Sequence, residues 1–194
     1  MARYASEHKD ATRRRIIETA GRRLKCDGID GAGIAALMSD AGLTNGAFYA
    51  HFASKDDLIA AVVTDQLEAQ AAAIAQLPEG RGALVDYVRW YLSREHRDDI
   101  ANGCPSAALL DEIARRSGEV AASYQRGVAV IVDEIAHRLA RDWSLEPALA
   151  RTRAVGLMTV LISSMQLARA MAGEQVVEQI LSAGIENARV LLAP

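Results

Sequence analysis

The sequence contains few residues that would cross-link or interrupt it. It has two cysteines and four prolines in 194 residues. Because Cys26 and Cys104 lie far apart and neither belongs to a metal-binding spacing, we expect no disulfide framework and no metal site. Two unpaired cysteines fit a reducing compartment, so the expected location is the cytoplasm.

Long apolar runs are also missing. No stretch of about 18 uncharged apolar residues occurs, which argues against a membrane-spanning helix and a membrane partner. The N-terminal residues MARYASEHKDATRRR are charged and lack the apolar core of a secretory signal. Glycine-rich phosphate loops and Ser-His-Asp arrangements are absent from the sequence, so we expect no catalytic residues and no cofactor.

What the sequence has in abundance is apolar helical periodicity. Hydrophobic residues form 51% of the chain, and in many windows they recur every three or four positions, as in amphipathic helices. This pattern predicts an all-α protein of about nine helices, with the first over residues 7–26 and the fifth over residues 81–97. We expect a three-helix N-terminal domain at residues 9–55 and a larger helical domain at residues 56–194.

The segment at residues 34–55 predicts two very short helices around a glycine turn, followed by the capped start of a long helix. Gly42 is placed to end the first short helix, because glycine accepts the left-handed conformation. Thr44 is a suitable N-cap for the second, in which Phe48 and Phe52 would be buried one turn apart. A short polar helix exposed after a tight turn, here at residues 33–52, is typical of a helix-turn-helix that enters the DNA major groove.

Charge is distributed unevenly along the chain. Residues 1–55 contain nine Lys/Arg and six Asp/Glu, a net charge of +3, whereas the other 139 residues contain thirteen and nineteen, a net charge of −6. A basic N-terminal module in an acidic chain indicates contact with DNA phosphates. Most of its positive charge comes from Arg13, Arg14, Arg15, Arg22, Arg23 and Lys25.

The N-terminal part of the sequence resembles the tetracycline-repressor (TetR) family of bacterial transcription regulators. The resemblance covers about residues 11–60 and rests on Ile16–Ala20, the Ala41-Gly42-Leu43-Thr44 turn, the Phe48-Tyr49-x-His51-Phe52 run and Ser54-Lys55-x-Asp57-Leu58. It implies a DNA-binding regulator and not an enzyme. One departure is the pair Ala32-Gly33, which stands where the family usually has Ser or Thr before the second helix, so a hydroxyl contact to phosphate is missing.

The resemblance also implies which residues meet DNA. Base reading would fall to Thr44, Asn45, Gly46 and Ala47, and contacts to the DNA backbone to Tyr49, His51 and Lys55. The predicted helix carries no Arg or Lys for bidentate guanine reading, so Asn45 is its one strong base-edge donor. A cation at Lys55, in the first turn of a helix, opposes the helix dipole, so we expect that a phosphate and not local stability explains it.

The two C-terminal helices, predicted at residues 146–171 and 174–192, are apolar on more than one face. Such a hairpin needs a second partner surface. In the resembled family the last two helices of each subunit form a four-helix dimer interface, which implies a homodimer here. A two-fold dimer would present its recognition helices about 34 Å apart, or a multiple of that, to a pseudo-palindromic operator in double-stranded DNA.

A small-molecule effector site in the C-terminal domain is a further implication of the resemblance. Pockets favour apolar and aromatic linings, but helical cores need the same residues, so a purely structural role stays open for each candidate. An effector would favour a state in which the predicted fourth helix, at about residues 55–77, has swung, so that the two DNA-binding domains of the dimer no longer fit the operator. The candidate ligand-binding residues are Tyr87, Trp90, Tyr91, Cys104, Tyr124, Met158 and Ile162.

Other interpretations remain open. The protein could activate transcription instead of repressing it, or Cys104 could sense oxidants if its thiolate were stabilised. The segment Glu134-x-x-His137 has the spacing of di-iron helix bundles, but such sites need a second copy and further glutamates. A helical dimerisation adaptor without DNA contact is the last alternative.

Overall fold

The computed structural model describes residues 2–193, with side chains from Glu7 onward. Over these residues the chain forms nine α-helices and one 3₁₀ helix and no strand, which confirms the all-α prediction. The α-helices are α1 (Ala2–Asp27), α2 (Ile34–Asp40), α3 (Lys55–Ala75), α4 (Arg81–Tyr91), α5 (Arg94–Asp98), α6 (Pro105–Ala114), α7 (Gly118–Trp143), α8 (Pro147–Ala170) and α9 (Glu174–Leu191), and the 3₁₀ helix spans Asn45–Ala50.

The tenth helix arises from a break in the predicted fifth helix. Instead of running over residues 81–97, the chain leaves the helical conformation at Leu92 and Ser93 and starts again as α5. The Ser93 hydroxyl accepts a hydrogen bond from the backbone N–H of His96 at 3.2 Å, the N-cap interaction that begins α5. The first helix is also longer than predicted and begins at Ala2.

The N-terminal head consists of α1, α2, the 3₁₀ helix and the beginning of α3. The inner stripe of α1 meets α2 and the 3₁₀ helix in one small core, where burial of each large apolar side chain contributes roughly 1.5–3 kcal/mol. This core contains Ile16, Ala20, Leu24, Leu37, Met38, Phe48, Phe52 and Leu58, all at most 2% exposed.

Helix α3 leaves the head and packs along α7 in the centre of the body. The two helices come close at Gly127, where an added Cβ would lie 2.6 Å from the side chain of Leu67. In length and composition α3 could cross a membrane, but its apolar side chains, among them Val62, Leu67 and Ile74, are buried in the protein, as in a core helix.

The end of α3 is capped by a buried guanidinium from α7. Arg138, 4% exposed, donates through Nε to the carbonyl of Ile74 at 2.8 Å and through Nη1 to that of Pro78 at 3.0 Å. Its Nη2 donates to the carbonyls of Ala75 and Leu77. Two of these carbonyls, those of Ile74 and Ala75, belong to the last turn of α3, where the helix leaves carbonyls without α-helical partners, and the cation also complements the negative end of the helix dipole.

Replacement of Arg138 by methionine should therefore destabilise the protein. We expect the free energy of unfolding to fall by about 2–4 kcal/mol, because four carbonyls at the end of α3 lose their shared charged donor. Urea denaturation followed by circular dichroism measures this change. Arg126→Met on the same helix is the matched control, since the Arg126 side chain and its partner Glu119 are both exposed; equal losses in both variants would contradict the capping role.

Candidate nucleic-acid interface and internal cavity

The turn after α2 has the geometry that its glycine predicts. Gly42 adopts φ +67°, the left-handed conformation. Its N–H bonds to the carbonyl of Ser39 and the N–H of Leu43 to that of Met38, both at 2.9 Å. These are the bonds that end a helix through a glycine cap, and they direct the chain immediately into the next short helix.

The second short helix is a 3₁₀ helix and not the α-helix expected for a recognition element. Thr44 precedes it in an extended conformation, but the threonine side chain accepts no capping hydrogen bond, so that part of the prediction is wrong. A 3₁₀ helix is poorly stabilised by its own bonds. Aromatic packing anchors this one, because the rings of Phe48 and Phe52 are buried with centroids 5.8 Å apart and Tyr49 meets Phe48 edge-on at 5.2 Å.

The outer face of this helix is polar and open. Thr44, Asn45 and Gly46 are exposed and Ala47 is half-buried. Tyr49 is 72% exposed although its ring edge touches the head core. This face carries the side chains predicted to read bases and holds them on a fixed backbone.

His51 lies half-buried just beyond the 3₁₀ helix. Burial lowers the pKa of its imidazole, and the nearby Lys9 and Arg13 lower it further. Its Nδ1 has no hydrogen-bond partner among the described residues. A neutral imidazole with one unused ring nitrogen can donate or accept one further hydrogen bond.

Lys55 has a structural contact that the sequence did not reveal. Its Nζ donates to the backbone carbonyl of Ile29 at 2.5 Å, which ties the start of α3 to the loop after α1. The expectation that local stability gives this lysine no role is therefore wrong. The predicted cap of α3 is present: the Ser54 hydroxyl accepts from the N–H of Asp57 at 3.1 Å, and the Asp57 carboxylate accepts from Ala53 at 3.0 Å.

The basic residues of α1 are used in different ways. Arg14, Arg15 and Arg22 are exposed. Arg23 instead pairs with Asp27 and Asp40. Arg13 stacks over the ring of Phe52 at 4.9 Å, and Lys25 turns into the protein. The positive charge available to a ligand on the outer surface is thus smaller than the count of basic residues indicates.

A cavity of about 320 Å³ lies where α1, α3, α4 and the segment before α6 meet. Four of the seven predicted ligand residues line it: Tyr87, Trp90, Tyr91 and Cys104. The other three, Tyr124, Met158 and Ile162, are not among its walls; the Tyr124 hydroxyl bonds to that of Ser106 at 3.0 Å. The cavity walls missed by sequence reasoning are mainly those from α1 and α3, including Lys25, Gln66 and Gln70.

The cavity wall from α4 and α5 is organised by His96. Its Nε2 accepts the backbone N–H of Cys104 at 3.0 Å, so its Nδ1 carries the proton and donates to the carbonyl of Tyr91 at 2.6 Å. Burial lowers the pKa of this histidine, which favours the neutral form that these bonds require. The Cys104 thiol donates to Gln70 Oε1 at 3.5 Å, and Gln70 in turn donates to the Tyr87 hydroxyl at 3.1 Å.

Lys25 is the charged group inside the cavity. It is 8% exposed, and its Nζ donates to the carbonyl of Gly103 at 2.9 Å. Burial lowers the pKa of this ammonium to about 8. A faint signal for this placement exists in the sequence, because Gly21 and Lys25 share a helical face beside the buried stripe of α1.

Comparison with known proteins agrees with this geometry. Residues 16–62 match the family described as bacterial regulatory proteins, tetR family. The chain carries the DNA-binding domain of the TetR family. Residues 16–62 thus have the DNA-binding domain of a transcription regulator, as the resemblance implied for this part of the chain.

Solved structures extend the likeness in fold over at least 90% of this chain. E. coli NemR in its reduced form is 18% identical, with a TM-score of 0.76 over 90% of this chain and 95% of that one. A TetR-family regulator from Agrobacterium tumefaciens is 20% identical, with a TM-score of 0.75 over 92% and 97%. FadR from Bacillus subtilis in complex with stearoyl-CoA is 13% identical, with a TM-score of 0.64 over 92% and 97%. No curated protein matches the chain.

Helix α6 connects the cavity to the TetR domain. Its first residue, Pro105, lines the cavity. At its other end, Glu112 accepts the backbone N–H of Asp30 at 3.0 Å, and Arg116, just after the helix, pairs with Asp30 and Asp56. A shift of α6 at the cavity would therefore be felt in the loop after α1 and at the start of α3.

The di-iron alternative finds no support in the side-chain arrangement. Across residues 7–193, no group of three or more His, Cys, Asp or Glu side chains could hold a metal ion. His137 is exposed on α7, so the Glu134-x-x-His137 segment stands without the further ligands that a di-iron centre requires.

The lowered pKa of Lys25 makes the stability of the protein depend on pH. Below about pH 8 the ammonium is charged in both states, and its burial lowers the free energy of unfolding by the full cost of burying the charge. Between about pH 8 and 10.5 the folded protein releases a proton that the unfolded chain still holds, so this cost is progressively removed. Stability relative to Lys25→Met should therefore rise by about 2 kcal/mol between about pH 7 and about pH 10.

Urea denaturation of both proteins at the two pH values measures this difference. Lys9→Met, which removes an exposed lysine from the same helix, is the control and should show no such change. A difference between wild type and Lys25→Met that stays constant with pH would contradict the burial of the charge.

Proposed function

We propose that the protein is a ligand-responsive repressor that binds a pseudo-palindromic operator as a homodimer. The observation that carries the proposal is the exposed polar face of the 3₁₀ helix, held over an aromatic core inside a TetR DNA-binding domain. A regulator of this kind acts where the chromosome is, so we propose the cytoplasm as its location.

The DNA contacts divide between bases and backbone. Thr44 and Asn45 offer hydrogen-bonding side chains to base edges, and Gly46 and Ala47 let the helix approach the groove closely. The hydroxyl of the 72% exposed Tyr49 is suited to a phosphate oxygen, whereas the Nδ1 of His51 is buried, so a phosphate would have to meet that ring at its other nitrogen. Because the helix has no arginine or lysine, sequence preference would depend on Asn45 and on DNA shape.

Lys55 would serve both the fold and the DNA. Its ammonium has three donors, and the bond to Ile29 uses one of them. The side chain is half-buried at the rim of the head, so the remaining donors suit a phosphate beside the recognition element.

The proposed dimer interface is the outer face of α8 and α9. Large apolar side chains of these two helices remain in contact with solvent. Single apolar residues scattered over a surface need no partner, but several on one helical hairpin indicate an interface. Val190 is 72% exposed. The others on this hairpin are Leu149, Val155, Leu167, Met171 and Val176.

The proposed response runs from the cavity through α6 to the head. An effector that prefers a different position of the Cys104-Pro105 segment would move the start of α6, and Glu112 and Arg116 would carry that movement to the head. A typical coupling free energy of roughly 1–3 kcal/mol would weaken operator binding 5- to 150-fold. FadR, which has this fold, is known in complex with stearoyl-CoA, and this supports an internal ligand without naming the one bound here.

The redox alternative has one observation in its favour. Cys104 lines the cavity, and the similar NemR structure is of a reduced form. Against it, the thiol is only 7% exposed and donates to Gln70. Loss of a peroxide response in Cys104→Ser, with operator binding intact, would support this alternative.

A salt series separates the two proposed roles of Lys55. If Lys55 contacts a phosphate, Lys55→Met should weaken binding to all DNA sequences similarly and lower the slope of log K against log salt by about one. If it acts only through Ile29, affinity should fall with an unchanged slope. Fluorescence anisotropy with DNA from the protein's own upstream region provides the measurement.

Tyr49→Phe is the companion variant in the same assay. It keeps the edge contact with Phe48 and removes only the hydroxyl, so a loss of affinity without a change in melting temperature would assign the hydroxyl to DNA. Unchanged affinity in Tyr49→Phe and an unchanged slope in Lys55→Met would together reject the proposed phosphate contacts.

The dimer interface can be tested by charge insertion. We expect the double variant Val155→Asp, Val190→Asp to sediment as a monomer and to lose operator binding, because each carboxylate would be buried without a partner. Val130→Asp on α7 is the matched control, since Val130 is similarly exposed but lies outside the hairpin. A monomeric wild-type protein, or a dimeric double variant, would reject this interface.

A further inference from the structure

The cavity contains a cation with hydrogen bonds to spare. Lys25 Nζ has three donors, and the bond to Gly103 is the one that the structure describes for it among residues 7–193. A buried ammonium is costly unless its charge is paired. The cavity beside it is therefore a place where an anionic group would be stabilised.

A second group in the cavity wall also lacks a strong partner. The Tyr91 hydroxyl belongs to a side chain that is 1% exposed, and its hydrogen-bonding neighbour among the described residues is the Cys104 thiol, a weak hydrogen-bonding group that leaves the hydroxyl unsatisfied. Burial raises the pKa of this phenol well above its usual value, so it remains a neutral donor. Gln66, which also lines the cavity, has a buried Oε1 without a partner. Buried polar atoms are rarely left unsatisfied without a functional reason.

The rest of the cavity is aromatic and apolar. Trp90 stacks on His96 with ring centroids 5.0 Å apart and an angle of 14° between the planes, and Tyr87 lies 5.7 Å from Trp90. Ala69 and Ala73 of α3 supply small apolar walls. This combination fits a flat ring at one end and a polar group at the other.

The rim limits the charge of the ligand. The exposed lining residues Glu18 and Asp65 place two carboxylates near the entrance, with Arg22 beside them. The pKa of Asp65 is raised by burial and then by Glu18, which shows that negative charge already accumulates there. A ligand with several negative charges would be repelled at this rim, whereas a single carboxylate can be paired deeper inside.

We propose that the cavity binds a small aromatic monocarboxylate, whose carboxylate pairs with Lys25 and accepts a hydrogen bond from Tyr91 while its ring lies against Tyr87 and Trp90. The inference deepens the proposed function, because it names the chemical class of the effector. The effect of this ligand on DNA binding rests on the proposed function, whereas its binding to the cavity does not. The carboxylate competes with the Gly103 carbonyl for the ammonium. Binding therefore loosens the tie between α1 and the segment that leads into α6.

Ligand binding is measured first without DNA. The probes are benzoate, phenylacetate, 3-phenylpropionate and indole-3-acetate, each paired with its neutral amide. Isothermal titration calorimetry measures their binding, and the intrinsic fluorescence of Trp90 and Trp143 is a second readout for the probes without an indole. We expect at least one acid to bind saturably and its amide at least tenfold more weakly, because the amide cannot pair with the ammonium.

Three variants assign the contacts. Lys25→Met should weaken the best acid at least tenfold and leave its amide unchanged. Tyr91→Phe should weaken the acid about three- to tenfold without lowering the melting temperature, because in the unliganded protein the removed hydroxyl faces only the weak Cys104 thiol. Arg15→Met, which removes an exposed cation of the same helix outside the cavity, is the control and should retain binding within about twofold.

The outcomes separate this inference from the proposed function. Equal binding of acid and amide, unchanged acid affinity in Lys25→Met, or no saturable binding of any acid overturns the inference even if operator binding is normal. Saturable, Lys25-dependent acid binding supports it even if the protein fails to bind its upstream DNA, and that failure would instead reject the regulator function.

Discussion

The buried ammonium of Lys25 is the interaction on which the arrangement of this protein most depends. It belongs to α1 of the head, bonds to Gly103 of the body and lines the cavity between them. One charged side chain thus connects the DNA-binding domain, the segment leading into α6 and the internal space. Because its burial is costly, the position of α1 responds to whatever else can satisfy this charge.

A second connection between the head and the body runs through α6. Together with the Lys25–Gly103 bond it couples the position of the head to that of the body. Glu112 and Arg116 hold the loop after α1, and Arg138 closes the far end of α3, which is the helix shared by both parts. Within the head, the packed rings of Phe48 and Phe52 hold a 3₁₀ helix that would not persist alone. The 3₁₀ helix is thus held firmly within the head, while the orientation of the head itself depends on few contacts. This combination is suited to a switch that a ligand controls.

Much of this fold could be predicted from the sequence because its determinants are local. Helical periodicity located most helices, and Gly42, Ser54 and the Phe48–Phe52 pair predicted the turn, the cap and the small core. What the sequence did not reveal depends on partners far along the chain. Lys25 bonds to Gly103, 78 residues away, and Lys55 to Ile29, 26 residues away, so neither lysine could be distinguished from a surface cation.

The cavity was predicted in part for the same reason. Tyr87, Trp90 and Tyr91 lie on one helix and were predicted because pockets favour apolar and aromatic linings. The three candidates Tyr124, Met158 and Ile162 were predicted on the same ground but lie on α7 and α8, away from the cavity. The break at Ser93 turns α5 back so that His96 can brace Tyr91 and Cys104, and no helical period predicts it.

The most direct test of the central claim is the distance between the two heads of the dimer. A spin label at Ser39→Cys, in a Cys26→Ser background with Cys104 buried, reports this distance by double electron–electron resonance. The account predicts one narrow distribution in the otherwise wild-type protein and a broad or shifted one in Lys25→Met. Identical distributions in the two proteins, or no dipolar coupling at all, would contradict it.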